Sequence, residues 1–179
     1  LVLASSEAKL NHDWSPDGRF IVYSVQNPKT DRDLWVLPLT GDRKPFAIAQ
    51  TQFDESNARF SPDPRWISYQ SDETGRNEVF VQPFPGPGGK IQISAGGGTA
   101  PQWRHDGREI YYLGPNNRAM AVPIAVIGNT LKGGAPVTLF TAPTGAAVAS
   151  PDGQRFLVST VTEDAAPITL LLNWAGLGR

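Results

Sequence analysis

The chain has 179 residues, a formal net charge of −1 and 40% hydrophobic residues, with 18 glycines, 16 prolines and no cysteine. That apolar content supports one globular domain with a core, and 5 Trp, 4 Tyr and 8 Phe spread along the chain exclude disorder. Disulfides are excluded, the near-neutral charge without a dense basic stripe argues against nucleic acid as a partner, and no stretch is apolar and long enough to span a bilayer.

In chain order, Leu1–Ala4 is a short apolar run that predicts a strand. It is too short for a signal peptide, and with Leu1 in place of methionine an excised domain or a processed chain is expected. Ser5–Leu10 reads as polar connection. Then comes Trp14-Ser15-Pro16-Asp17-Gly18-Arg19-Phe20-Ile21-Val22-Tyr23-Ser24. Serine suits the first position of a type I turn, proline presets φ at the second and glycine accepts positive φ at the fourth. Such a turn closes a short β-hairpin, here from Asn11 to Val25. Beyond it, alternate residues on both faces are apolar (Phe20 and Val22 on one, Ile21 and Tyr23 on the other), as in a sheet covered on both sides. Gln26–Arg32 reads as a loop, Leu34–Leu39 as a third strand, and Lys44–Ala49 as a fourth.

The unit then repeats. Phe60-Ser61-Pro62-Asp63-Pro64, Trp103-Arg104-His105-Asp106-Gly107 and Ala149-Ser150-Pro151-Asp152-Gly153 are further copies of the turn, and their aspartates lie 46, 43 and 46 residues apart. A period of this size marks a repeat architecture, and about 40–45 residues is one four-stranded propeller blade. Pro64 cannot adopt positive φ, so the second turn must be rebuilt. Arg104-His105 in place of Ser-Pro weakens the third. The repeats span roughly 11–49, 57–94, 100–141 and 146–174, with 1–4 as a strand completing a blade. In the third, Val137–Thr141 is the fourth strand after a longer connection, Ala125–Pro136. Pro38, Pro83 and Pro123 fall at matching ends of the third strands, with Asn173 in their place in unit four, and are expected to mark strand exits. The fourth repeat holds three strands, and Leu1–Ala4 belongs to no complete unit, which is the arrangement expected if closure pairs the first strand with the last blade. The fold class expected is all-β: a β-propeller of four-stranded antiparallel blades, four in this chain, either half of an eight-bladed ring or part of a larger propeller.

The motif Trp-Ser-Pro-Asp-Gly-Arg-Phe-Ile-Val-Tyr-Ser, followed by Asp33-Leu34-Trp35-Val36-Leu37-Pro38-Leu39, resembles the TolB-like (WD-like) β-propeller repeat family. Asp33–Phe46, Glu78–Lys90 and Leu172-Asn173-Trp174 also resemble the C-terminal propeller of bacterial membrane-anchored serine/threonine kinases. The resemblance implies a propeller outside the cytoplasmic membrane that is used for binding. It implies no kinase chemistry, since the Gly-rich loop, catalytic-loop aspartate and Asp-Phe-Gly are absent from these residues.

No catalytic residues, metal ligands or cofactor are assigned. His12 and His105 occupy different repeat positions, and a metal site needs three or four convergent ligands. No Gly-x-Ser-x-Gly elbow exists. Gly86-Pro87-Gly88-Gly89-Lys90 lacks the full phosphate-loop spacing and reads as a hairpin connection. Asp31, Asp33, Asp72, Glu73 and Glu78 read as solvated loop carboxylates pairing with Arg32 or Arg76 rather than as calcium ligands. The functional surface follows from architecture: if the first strand of each blade is innermost, Glu7, Asn11, Asp13, Asp54, Glu55, Asn57, Arg59 and Gln102 ring a channel mouth. The partner expected there is a protein, a peptide or a small polar ligand. A homodimer closing the ring is expected as well, with no nucleic acid and no direct membrane insertion.

Overall fold

A computed structural model describes residues 7–86, 88–159 and, as backbone, 168–172. Leu1–Ala4, Asn173 and Trp174, which carried sequence expectations, lie outside the described residues.

Four antiparallel sheets follow one another along the chain. The first is β1 (Lys9–Trp14), β2 (Phe20–Asn27), β3 (Asp31–Pro38) and β4 (Phe46–Ala49) in that spatial order. The second is β5 (Glu55–Phe60), β6 (Trp66–Ser71), β7 (Glu78–Pro83) and β8 (Ile91–Gln92). The third contains β9 (Thr99–Trp103), β10 (Glu109–Gly114), β11 (Arg118–Ile127), β12 (Thr130–Gly133) and β13 (Val137–Thr141), and the fourth β14 (Ala147–Ala149), β15 (Arg155–Ser159) and β16 (Ile168–Leu172). Each sheet meanders outward from its first strand, and β1, β5 and β9 stand side by side. These are propeller blades.

The repeated aspartates occupy one setting. Asp17, Asp63, Asp106 and Asp152 each accept through Oδ1 from the backbone N–H two residues on, at 3.1, 3.3, 3.0 and 3.0 Å. In three blades a serine hydroxyl completes the turn: Ser15, Ser61 and Ser150 donate to the aspartate at 2.6, 2.7 and 2.5 Å. The same oxygens accept the N–H of Phe20, Trp66 and Arg155. The serine hydroxyl is the largest influence holding Asp17 and Asp152 below the usual carboxylate range. Gly18, Gly107 and Gly153 carry φ of 72°, 72° and 67° and each donates its N–H back across the turn. Pro64 has no N–H, so the second turn lacks that bond and rests on Ser61 instead. In the third turn Arg104 supplies no hydroxyl, and its guanidinium reaches Asp106 at 3.5 Å and Glu109 at 3.2 Å.

Between successive blades lies an apolar seam. Phe20, Val22, Leu34 and Val36 of the first blade meet Phe60, Ile67, Tyr69 and Phe84 of the second. The Phe84 ring stands edge-on to Phe20 and Phe60, each at 5.0 Å. Trp66, Val79 and Val81 meet Ile110, Tyr112 and Val122 in the second seam. Tyr111 and Phe140 meet Phe156 and Val158 in the third. Neighbours on one strand thus serve opposite seams: Ile110 and Tyr112 face backward, Tyr111 forward. Each fully buried side chain of this kind contributes about 1.5–3 kcal/mol.

Three expectations are corrected. The predicted loop Gln26–Arg32 is a tight hairpin, because β2 and β3 pair as far as Asn27 with Asp31. The Ala125–Pro136 connection is not a plain loop: β11 runs on to Ile127 and pairs with β12, while β13 pairs with the first half of β11. Pro38 and Pro83 do end their strands, but Pro123 sits inside β11, where it ends only the pairing with β10. A proline is tolerated there because its carbonyl still accepts from Gly134 at 2.8 Å and no donor is asked of it.

Ser61→Ala should cost about 1–3 kcal/mol, because it strips the acceptor from the buried Trp66 N–H in the one turn that lacks the backbone bond. Ser150→Ala, in an exposed turn that retains that bond, should cost less. Urea unfolding midpoints of the two variants would check the order.

Candidate functional site

The innermost strands place the eight channel-mouth residues at two ends rather than in one ring. Glu7, Asp54 and Glu55 lie where the strands begin, and Asp13, Arg59 and Gln102 where they end, next to the repeated turns. Asn11 and Asn57 lie between. A six-residue strand is about 20 Å long, so the two groups cannot share a ligand.

At the beginning of the strands, carboxylates tie the connections between blades. Asp54 receives Arg32 edge-on: Nε donates to Oδ1 at 2.7 Å and Nη2 to Oδ2. Arg32 therefore pairs across the blade boundary and not with its loop neighbours Asp31 and Asp33. Asp33, 2% exposed, accepts from Asn27, Thr30 and Gln50 at 2.9, 3.0 and 3.4 Å. Glu78, at the corresponding place in the second blade, accepts from the Ser94 hydroxyl and from Gly97 N–H at 2.8 Å. Each of these acids anchors the segment leading to the next blade. Glu55 is buried and accepts from the Thr51 hydroxyl, and burial pushes its carboxyl up. Glu73 pairs with Lys90, which accounts for the lysine of the glycine-rich connection.

Asn57 and Ala100 share a repeat position and a left-handed backbone, with φ of 53° and 52°. Both sit at register shifts between the first and second strands. Asparagine accepts this conformation more readily than alanine. In these two blades the position thus has a backbone role, a bulge that re-aims the residues after it, whereas Asn11 at the same place in the first blade is not left-handed.

The residues four before each repeat aspartate are Asp13, Arg59, Gln102 and Val148. The first three join blade to blade. Asp13 Oδ2 accepts from Phe60 N–H at 2.9 Å, and Gln102 Oε1 accepts from Ala149 N–H at 3.0 Å, the same bond at the first and third blade boundaries. Gln102 also donates to the Ala147 carbonyl at 2.7 Å. Arg59 cannot accept, and there Trp103 Nε1 donates to the Arg59 carbonyl at 3.3 Å instead. Sequence reasoning missed this bracing role; its signal is an acceptor side chain recurring at that position.

Around this end lies a cavity of about 380 Å³ lined by Asp13, Pro16, Arg59, Phe60, Pro62, Gln102, Trp103 and His105. Three of the eight predicted residues meet in it. Burial is the largest influence on Asp13 and raises its carboxyl, against the Phe60 and Trp14 N–H groups and Arg59. His12, half-buried beside it, is pushed down to about 4, by burial foremost and then by Arg59 and Arg32, and its Nε2 has no partner among the described residues. Its imidazole is neutral at pH 7. Among the described residues no three His, Cys, Asp or Glu side chains converge as metal ligands.

The depressed His12 value has a definite sign for stability. The unfolded chain takes up a proton near 6.5 that the folded chain refuses until about 4, so stability present above pH 6.5 is lost as pH falls through this interval. Asp13 and Glu55, whose native values are raised, act in the opposite direction. His12→Gln should therefore lose less stability than the parent between pH 7 and pH 5, measured as the shift in urea midpoint.

No protein-family model and no curated protein matches the sequence. Solved structures do match. TolB from Acinetobacter baumannii superposes with a TM-score of 0.70 at 16% identity, over 89% of this chain and 39% of that one. A protein assigned as TolB from Agrobacterium tumefaciens gives 0.60 at 18%, over 82% and 56%. A prolyl endopeptidase structure gives 0.55 at 10%, over 93% and 30%. The chain thus spans about two-fifths to little more than half of the TolB chains it matches, and likeness at these identities concerns the fold. With the blade order and the shared turn geometry, it establishes that the chain has the fold of a TolB-like β-propeller.

Proposed function

We propose that this propeller is a non-catalytic binding or sensor module, acting outside the cytoplasm on a protein, a peptide or a small ligand. The observation that supports it is the cavity at the turn end of the innermost strands. Apolar Pro16, Phe60, Pro62 and Trp103 form its walls, and Asp13, Arg59, Gln102 and His105 bring a few polar groups to it. Sites for small ligands have this composition and a volume of this order. Rigid neighbours hold the lining, since Asp13 and Gln102 are fixed by bonds to the next blade. The extracytoplasmic location belongs to the same reading, by way of the sequence resemblance. Among the described residues no helix is long and apolar enough to cross a membrane.

The competing reading, a propeller accessory to a hydrolase, draws on the likeness to a prolyl endopeptidase. Incubation of the chain with ester and peptide substrates separates the two. No turnover above the buffer blank is expected, and turnover would reject the binding reading.

A second reading, self-association that completes a ring, is favoured by apolar side chains on the first and last blades. Leu10 and Trp14 of β1 are 57% and 59% exposed, and Val148 of β14 is 58% exposed. Large apolar groups left in water at the two ends of a blade series mark surfaces suited to further blades. Light scattering should give a mass above that of one chain, and a strict monomer would exclude a ring shared between copies.

A further inference from the structure

Among the described residues, Arg59 is the only arginine or lysine lining the cavity. Its Nη1 is occupied, donating to the main-chain carbonyls of His12 and of Ala58, the latter at 3.2 Å. Its Nε and Nη2 donate to no group among the described residues, and Arg59 forms no ion pair there. The arginines that form ion pairs among the described residues use this edge to do so. Arg32 lays its Nε and Nη2 on Asp54, Arg65 lays the same two nitrogens on Asp63, and Arg104 reaches Asp106 through Nε. Arg59 is half-buried, so its open donors are partly withdrawn from water. The bonds through Nη1 also limit how far it can turn to find a partner. The result is a preset fork with two parallel N–H groups, the shape that a carboxylate fills with both oxygens.

We infer that the cavity binds an organic carboxylate, with its two oxygens on the Nε and Nη2 of Arg59 and its apolar body against Pro16, Phe60, Pro62 and Trp103. This rests on the binding-module reading and names the class of ligand. Asp13 lines the same cavity and refines the choice. One of its oxygens is held by Phe60 N–H, so it stays in place, and a second negative charge on the ligand would meet it. A monoanion with an apolar group fits; a dicarboxylate or inorganic phosphate does not. Two sources share this chemistry, the C-terminus of a peptide ending in an apolar residue and a small free acid.

Calorimetric titration of the whole chain tests the assignment. The probes are N-acetyl-Ala-Phe and its C-terminal amide, 3-phenylpropionate and its amide, and inorganic phosphate. Each acid should bind roughly ten- to hundredfold more tightly than its amide, since only the acid makes the charge-assisted pair. Tighter binding of the dipeptide acid identifies a peptide C-terminus as the source, and tighter binding of phenylpropionate a small acid; both support the inference. Arg59→Gln should abolish the preference for acid over amide, and Arg59→Lys should keep part of it. Amides binding as well as acids, phosphate binding as well as either acid, or no acid binding at about 10 mM would each overturn the inference. Amides that bind as well as acids would leave a binding module without this anchor, whereas turnover of a substrate would remove the binding reading itself. If Arg59→Gln fails to fold, the comparison of acid with amide on the parent chain decides the matter alone.

Discussion

The fold depends on the packing of one blade face on the next. No blade here could stand by itself, since a single small sheet with apolar residues on both faces has nowhere to hide them. The strand alternation that puts Ile110 and Tyr112 in one seam and Tyr111 in the next makes every internal blade a shared wall. Polar bonds then fix how the walls meet. Asp13 to Phe60 and Gln102 to Ala149 are the same brace at two boundaries, and Gln82 adds another by donating to the Ile48 carbonyl at 2.9 Å. Apolar burial is non-directional and sets the strength of the contact. The braces set its register.

This division of labour shapes the site. The side chains that fix the blades and those that line the cavity are partly the same, because the innermost strands crowd together where they enter the repeated turns. Asp13 and Gln102 are spent mainly on the scaffold. Arg59, at the same repeat position, is the exception. An arginine cannot accept the N–H that Asp13 and Gln102 accept, so Trp103 braces through its indole instead and the guanidinium keeps an edge open. One change of residue type at a structural position thus turns an accepting brace into a donating one and leaves two donors over. At the opposite end of the strands, Asp33, Asp54 and Glu78 are engaged in fixing connections, while Glu55 gives one oxygen to Thr51 and its Oε2 has no partner among the described residues.

Much of the fold was legible because the turn is local chemistry. Ser-Pro-Asp-Gly determines its own geometry through bonds within five residues, so a repeat of the letters is a repeat of the structure. The departures behave as their chemistry requires: Pro64 removes a donor and the turn loses one bond, and Arg104 removes a hydroxyl and the turn gains ion pairs. Errors arose where the same residue type meets different neighbours. Pro123 matches Pro38 and Pro83 in the sequence, but β12 lies beside it and lets β11 continue. Asn11 and Asn57 share a repeat position, yet the left-handed backbone at Asn57 and Ala100 is absent at Asn11, a difference the letters do not show.

By itself the sequence determined the blade: the period, the hairpin turns and the two apolar faces that demand covering on both sides. These depend on residues close together in the chain or on simple alternation. Only the tertiary structure decided the partners between blades, which lie about one repeat apart and leave no local trace. Whether a carboxylate or guanidinium braces the next blade, ties a connection or remains open to a ligand is set by what the neighbouring blade presents. Arg32 and Arg59 are alike as letters; one pairs with Asp54, and the other, among the described residues, forms no ion pair and donates through Nη1 to main-chain carbonyls.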